Sequence, residues 1–186
     1  MKFGWLHDHK NDRKWAWCRE RRAAGRTVGM NWYSTDAETV PRTDVARALA
    51  ANFGAATAAA RQALGDAGVI HPSNHFVEPV GRDRLAWTVR AIEFLVTLGC
   101  DAVLLDPDTG VSKGKVKRAH AAPVEVAAYV EAFHEVAVFQ HVWQGSTVRD
   151  QQRVLAKVLA PVLPARSVLE FSDASDQHFL ISVVKR

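Results

Sequence analysis

The run Asp101-Ala102-Val103-Leu104-Leu105-Asp106-Pro107-Asp108-Thr109-Gly110 constrains the fold more than any other stretch of the chain. Four consecutive apolar residues bounded by acids and a Pro/Gly turn describe a strand buried on both faces, as in a parallel sheet. A second such run, Val136-Ala137-Val138-Phe139, ends in Gln140-His141, and Thr27 to Tyr33 is a shorter β-prone run.

Helical patterns fill the intervals. Residues 11–24 read as a helix ending at Gly25, and Thr43 or Asp44 caps an Ala-rich helix to about Leu64. Polar turn residues run from Ser34 to Arg42 and a loop from Gly65 to Asn74, and His75 to Pro79 is extended. Asp83 to Leu98 is an amphipathic helix stopped by Gly99, Pro123 to Phe133 is a helix, and Ser146 caps another to about Leu159. Ser167–Ser172 and His178–Val184 read as a closing hairpin. This order predicts one α/β domain over residues 1–186, a three-layer α/β/α sandwich with a mainly parallel sheet and a C-terminal β-hairpin.

At 186 residues and 48% hydrophobic content the chain can build a core without staples, since a chain of this size buries roughly 70% of its unfolded surface. Disorder and small disulfide scaffolds are therefore excluded. Cys18 and Cys100 have no zinc-type or C-x-x-C spacing, which suggests two buried thiols in a reducing compartment. No apolar run approaches the roughly 20 residues that span a bilayer, and the N-terminal sequence has no signal-peptide core. The expectation is a soluble, cytoplasmic protein with no membrane association and no evident obligate protein partner.

Charge is informative through its distribution. Residues 1–26 carry a net +5, Lys113-Gly114-Lys115-Val116-Lys117-Arg118 adds +4, and the remainder is net negative. Segregated cations suit a polyanion, because each neutralised phosphate releases counterions. DNA is the expected partner, with Lys14, Lys113, Lys115, Lys117 and Arg118 as candidate phosphate contacts. Trp5, Trp15 and Trp17 are interleaved with the first cluster, where they suit stacked bases or, equally, a core-facing helix stripe.

In an open parallel sheet, ligands bind beyond the carboxyl ends of the strands. Asn31-Trp32-Tyr33, Asp106-Pro107-Asp108-Thr109-Gly110 and Gln140-His141 fall there. An Asp closing a buried strand is partly desolvated and so a stronger base, which makes Asp106 the first catalytic candidate, with Asp108 beside it. Asn31 offers a donor and an acceptor for a water or an amide edge. Trp32 and Tyr33 would line a pocket for a planar group, with Glu78, Gln140 and His141 completing substrate contacts. His7, Asp8, His9 and Asp12 lack a fixed ligand spacing, so no metal site is expected. Dinucleotide and P-loop glycine motifs and the G-x-S-x-G elbow are missing, which leaves acid-base or electrostatic chemistry with no cofactor.

The chain resembles a poorly characterised bacterial family that shares an Asn-Trp-Tyr strand end, a Phe-x-Glu segment (here Phe76-Val77-Glu78), an Asp-Pro-Asp-[Asn/Thr]-Gly strand end, a Lys-rich loop and a Gln-His strand end. That resemblance implies no settled chemistry. Val28-Gly29-Met30-Asn31 is similar to the V-G-[IM]-N-P-G strand end of mismatch-type uracil-DNA glycosylases, which share the α/β/α sandwich and whose motif Asn positions the attacking water. Here Trp32-Tyr33 replaces Pro-Gly, and His71-Pro72-Ser73 lies in a different place in chain order from their His-Pro-Ser loop. The C-terminal hairpin and Asp106-Pro107-Asp108 are similar to the closing hairpin and [N/D]-P-P-[Y/F] strand end of S-adenosylmethionine-dependent amino-methyltransferases, although the glycine-rich loop that holds the methionine moiety is missing.

The leading expectation is a DNA glycosylase hydrolysing the N-glycosidic bond of a modified base, such as a hypermodified phage pyrimidine, with a role in antiphage defence. Asp106 would activate water or stabilise an oxocarbenium-like sugar once the base is flipped out. The alternatives are a methyltransferase-like protein, a non-catalytic nucleic-acid-binding module, and a nuclease holding Mg²⁺ on Asp106, Asp108 and Glu78.

Overall fold

The structure is a computed structural model that describes residues 12–33, 58–172 and 178–186. The expected turn from Ser34, the start of the Ala-rich helix and the hairpin tip lie outside those residues, as do His7, Asp8 and His9. In chain order the elements begin α1 (Asp12–Ala23), β1 (Val28–Asn31), α2 (residues 58–66), β2 (His75–Phe76) and α3 (Arg84–Thr97). They continue with β3 (Ala102–Leu105), β4 (Gly110–Val111), β5 (His120–Ala121), α4 (Pro123–Ala132) and β6 (Glu135–His141). The last three are α5 (Val148–Leu159), β7 (Ser167–Phe171) and β8 (His178–Lys185).

The main sheet has the order β2-β1-β3-β6-β8-β7. Its first four strands are parallel, β8 runs antiparallel to β6, and β7 pairs antiparallel with β8 on the outer edge. The expected α/β architecture with a mostly parallel sheet and a closing hairpin is therefore present. The chain moves outward from β1 to β2 and then returns to β3 on the other side of β1, so β1 and β3 flank the topological switch point.

Strand side chains alternate between two cores. Val28, Met30, Trp32, Ala102, Leu104, Ala137, Phe139 and Leu180 join Trp15, Trp17 and Cys18 of α1 and Ala60 and Leu64 of α2. Tyr33, Val103, Leu105, Val136, Val138, Phe179 and Ile181 face Trp87, Ala91 and Leu95 of α3, Val126, Tyr129 and Val130 of α4, and Leu155 and Leu159 of α5. β3 is buried throughout and β6 along all but its last residue, His141, as their continuous apolar runs predict. Gly29 is needed where α3 crosses β1, since a Cβ there would lie 2.8 Å from both Cys100 Sγ and Leu95 Cδ2.

Helix ends follow local chemistry. The Ala86 N–H donates to the Asp83 carboxylate (3.0 Å), and α3 stops at Leu98, before a left-handed Gly99. The cap of α5 is Thr147, which accepts from the Asp150 N–H (3.1 Å), and not Ser146 as expected. Ser146 instead donates its backbone N–H to Trp143 and lies in the preceding turn. Sequence reading also missed β4 and β5, a two-stranded parallel pair that carries the Lys-rich loop between them. Among the described residues no helix is long and apolar enough to cross a membrane. Both cysteines are free and buried, and burial pushes both thiols up, Cys100 to about 11.

Candidate functional site

The three polar strand ends do lie at one edge of the sheet, but the two-residue alternation divides their side chains between opposite faces. Asp106, Trp32, Phe139 and His141 face α1; Asn31, Tyr33 and Gln140 face α3 and α4. The single pocket expected from the sequence is thus two polar clusters separated by the sheet.

On the α1 face, Lys14 Nζ donates to Asp106 Oδ1 at 2.5 Å, with 3% and 2% of the two side chains exposed. The ammonium lies 3.9 Å from the centroid of Phe139 and 5.9 Å from that of Trp15. Among the described residues nothing donates to Asp106 Oδ2. Burial raises the Asp106 pKa, and Lys14 opposes that rise by favouring the ionised form. Lys14, expected on a phosphate, is instead inside the protein, because it shares the buried face of α1 with Trp15, Trp17 and Cys18. Two further contacts set that register: Arg21 donates to Glu135 Oε1 at 2.7 Å with Trp17 Nε1 also donating (3.3 Å), and Arg26 meets Asp101 at 3.3 Å. α1 therefore runs antiparallel to the parallel strands.

The remaining side of Phe139 is covered by His178, stacked at 5.2 Å, and the His141 ring meets His178 edge-on at 4.6 Å. Trp32 is 1% exposed, and its indole N–H donates to His75 Nδ1 at 2.8 Å. That bond makes the other nitrogen, Nε2, the protonated one, and among the described residues it has no acceptor. Burial drives the His75 pKa down to about 3, so the ring is neutral.

On the opposite face, Asn31 Nδ2 donates to the Tyr129 hydroxyl (2.6 Å) and its Oδ1 accepts from the Tyr33 N–H (3.2 Å). That turn holds Tyr33 at φ +48, a left-handed conformation that costs a non-glycine residue about 1–3 kcal/mol. The Tyr33 hydroxyl donates to Glu125 (3.3 Å) and its ring packs edge-on against Trp87 at 5.0 Å. Glu125 is gripped by the Arg84 guanidinium through both carboxylate oxygens and accepts from the Ala122 N–H (2.9 Å). Arg84 also donates to the carbonyls of Lys117 and His120, tying α3 to the loop between β4 and β5. Asn31 and Tyr33 thus spend their polar groups on protein partners.

Gln140 braces the turn that follows Asp106. Its Oε1 accepts from the Val111 N–H (2.7 Å), and its Nε2 donates to the carbonyls of Thr109 (3.3 Å) and His141 (2.9 Å). Gly110 (φ +86) is required there, since a Cβ would come within 2.3 Å of that amide. Asp108 is half-buried in the same turn. Glu78 lies apart, in a surface ion pair with Arg90 (2.5 Å) that lowers its pKa. Lys113, Lys115 and Lys117 are exposed, Arg118 is half-buried, and Lys113 Nζ lies 4.4 Å from the centroid of Trp143.

Sequence reasoning missed Arg84, Glu125, Tyr129, His75, Phe139 and His178. Strand parity alone was enough to put Phe139 with His141 and apart from Gln140. Nothing in the sequence links Lys14 to Asp106, 92 positions away. Among the described residues no group of three or more metal-ligating side chains comes together.

No protein-family model and no curated protein matches the chain. Among solved structures it is similar to the crystal structure of EvdMO1, with 14% identity and a TM-score of 0.41. The match covers 96% of this chain and 41% of that one, so the chain spans less than half of EvdMO1.

Proposed function

We propose that the chain is an S-adenosylmethionine-dependent methyltransferase-like enzyme acting on an amino group of a nucleic acid. The observation that carries this reading is the closure of the sheet: the last strand, β8, runs back antiparallel between β6 and β7, the hairpin closure that the resemblance to methyltransferases implies. The Asp-Pro-Asp strand end lies at the switch point of that sheet, where α/β proteins bind their ligands. The exposed lysines of the loop between β4 and β5 supply the cations that a phosphate backbone requires.

Two buried polar atoms without partners among the described residues support this reading. His75 Nε2–H, on the strand beside β1, is a donor suited to a nucleoside acceptor, and Asp106 Oδ2, at the end of the other neighbouring strand, is an acceptor suited to an N–H or O–H. S-adenosylmethionine, when bound, supplies an electrophilic methyl group. The chain's own part is to orient the acceptor. An amino group donating to Asp106 Oδ2 has its lone pair fixed in direction, and a carboxylate made more basic by burial can take the proton that the amine releases. Lys14 holds the first oxygen, so the second is the one left for this task.

Calorimetric titration of the full chain with S-adenosylmethionine tests the reading. Saturable heat is expected, and no heat at millimolar ligand removes it.

The raised basicity of Asp106 also favours a second reading, the DNA glycosylase, in which the carboxylate activates water and no cofactor takes part. Incubation with plain, uracil-containing or hypermodified phage DNA in EDTA, followed by alkali, separates the two. Alkali-dependent breaks that vanish in Asp106→Ala put the glycosylase first. Intact DNA leaves the methyltransferase-like reading, and breaks that need Mg²⁺ indicate a nuclease.

A further inference from the structure

A buried lysine-carboxylate pair that serves structure alone normally has its remaining lone pairs satisfied, because desolvation outweighs the attraction unless the geometry and the surrounding hydrogen bonds are complete. The Lys14–Asp106 pair departs from that pattern. Among the described residues Asp106 Oδ2 is buried with no donor, and the ammonium lies against the face of Phe139 with Asp106 as its hydrogen-bond acceptor. A carboxylate and an aromatic face around one ammonium are the elements by which proteins recognise alkylammonium ligands. Phe139 is held in place from its other neighbour by the stacked His178 ring, and Asp106 by the braced turn that follows it. The cage is therefore built by the sheet, while its occupant arrives on a helix packed over it.

We propose that Asp106 and Phe139 form a binding site for a primary ammonium group, which Lys14 of α1 fills in cis. The ligand class is a primary alkylamine. As a binding site this inference stands apart from the methyltransferase-like reading, because in the wild type Lys14 already holds it. The same chemistry would hold the α-ammonium of an amino-acid moiety, and the experiment distinguishes the two.

Lys14→Ala in the 186-residue chain empties the cage while leaving its walls. Its melting temperature is measured against rising n-butylammonium, the neutral alcohol 1-pentanol, and methionine. The expected result is a saturable rise with n-butylammonium in Lys14→Ala, little effect of 1-pentanol, no rise in the wild type, and loss of the rise in Lys14→Ala/Asp106→Asn. A rise with methionine in place of n-butylammonium assigns the site to an amino-acid moiety. Equal effects of 1-pentanol and n-butylammonium, or no effect of either amine, overturn the proposal. If Lys14→Ala does not fold alone, recovery of its circular dichroism with n-butylammonium is the same test, and Lys14→Met, which refills the volume without charge, must not respond. Heat with S-adenosylmethionine but no amine effect leaves the methyltransferase-like reading intact and removes this one; an amine effect without that heat does the reverse.

Discussion

The two faces of the sheet meet at the same strand ends and treat their polar groups in opposite ways. Facing α3 and α4, Asn31, Tyr33, Tyr129, Glu125 and Arg84 form a closed network in which each named polar side chain has protein partners and one guanidinium spans three elements. Facing α1, the Lys14–Asp106 ion pair is buried against aromatic rings, and among the described residues one of its carboxylate oxygens has no donor and a neutral histidine N–H has no acceptor. A satisfied buried network fixes geometry, whereas orphaned buried atoms cost free energy that packing must offset. Polar groups one residue apart in sequence are thus satisfied on the first face and left with unpartnered buried atoms on the second.

The largest effect should come from breaking the closed network. Glu125→Ala strands the Arg84 guanidinium and removes the partner of the Ala122 N–H and the Tyr33 hydroxyl, so a loss of about 3–5 kcal/mol in denaturant unfolding is expected. A loss below about 1 kcal/mol would mean that this face is no more scaffold than the other.

The α1 face should respond less, and in a pH-dependent way. Lys14→Met removes the group that favours ionised Asp106, and because that carboxyl can protonate, about 2–3 kcal/mol is expected at neutral pH. A carboxyl whose folded pKa is raised binds more protons folded than unfolded, so stability falls as pH rises above the ordinary carboxylate value of 3.8. Lys14→Met should carry that fall to higher pH, and urea titrations from pH 4 to pH 8 read it. Lys14→Met/Asp106→Leu should return to within about 1 kcal/mol of wild type or exceed it, as replacement of a buried ion pair by apolar groups often does. Recovery of stability with loss of ligand binding would separate this face from the other.

His75 has the opposite sign. Its folded pKa of about 3 lies below the unfolded 6.5, so the unfolded state takes up the proton first and stability drops as pH falls through that interval. His75→Asn should flatten the acid limb by up to about 1.4 kcal/mol per pH unit, one proton's worth. The smallest effect belongs to the surface. Glu78→Gln, which breaks the exposed pair with Arg90, should leave the denaturation midpoint within error, and a clear shift would give Glu78 a role that its position does not.

Much of the fold was legible because its signals are local. The runs Ala102–Leu105 and Val136–Phe139 are too apolar to be anything but doubly covered strands, and Gly25, Gly99 and Asp83 punctuate helices where their backbone chemistry dictates. β4 and β5 escaped because two-residue strands carry no periodicity. Asp106 was identifiable as a buried strand-end carboxylate from its neighbours alone, and its burial follows.

What the sequence by itself determined is therefore which residues form strands and helices, and that polar groups collect at the carboxyl edge of the sheet, since both depend on neighbours within a few positions. Only the tertiary structure decided which polar groups meet. Strand pairing and the two-residue alternation sent Asn31 and Gln140 to one side and Asp106 and His141 to the other. The packing of α1 then buried Lys14 on Asp106, a contact across 92 residues that no local pattern encodes. Lysine on a helix surface costs nothing when solvated and becomes a buried ammonium only when another element closes over it, so its role is a property of the assembled fold.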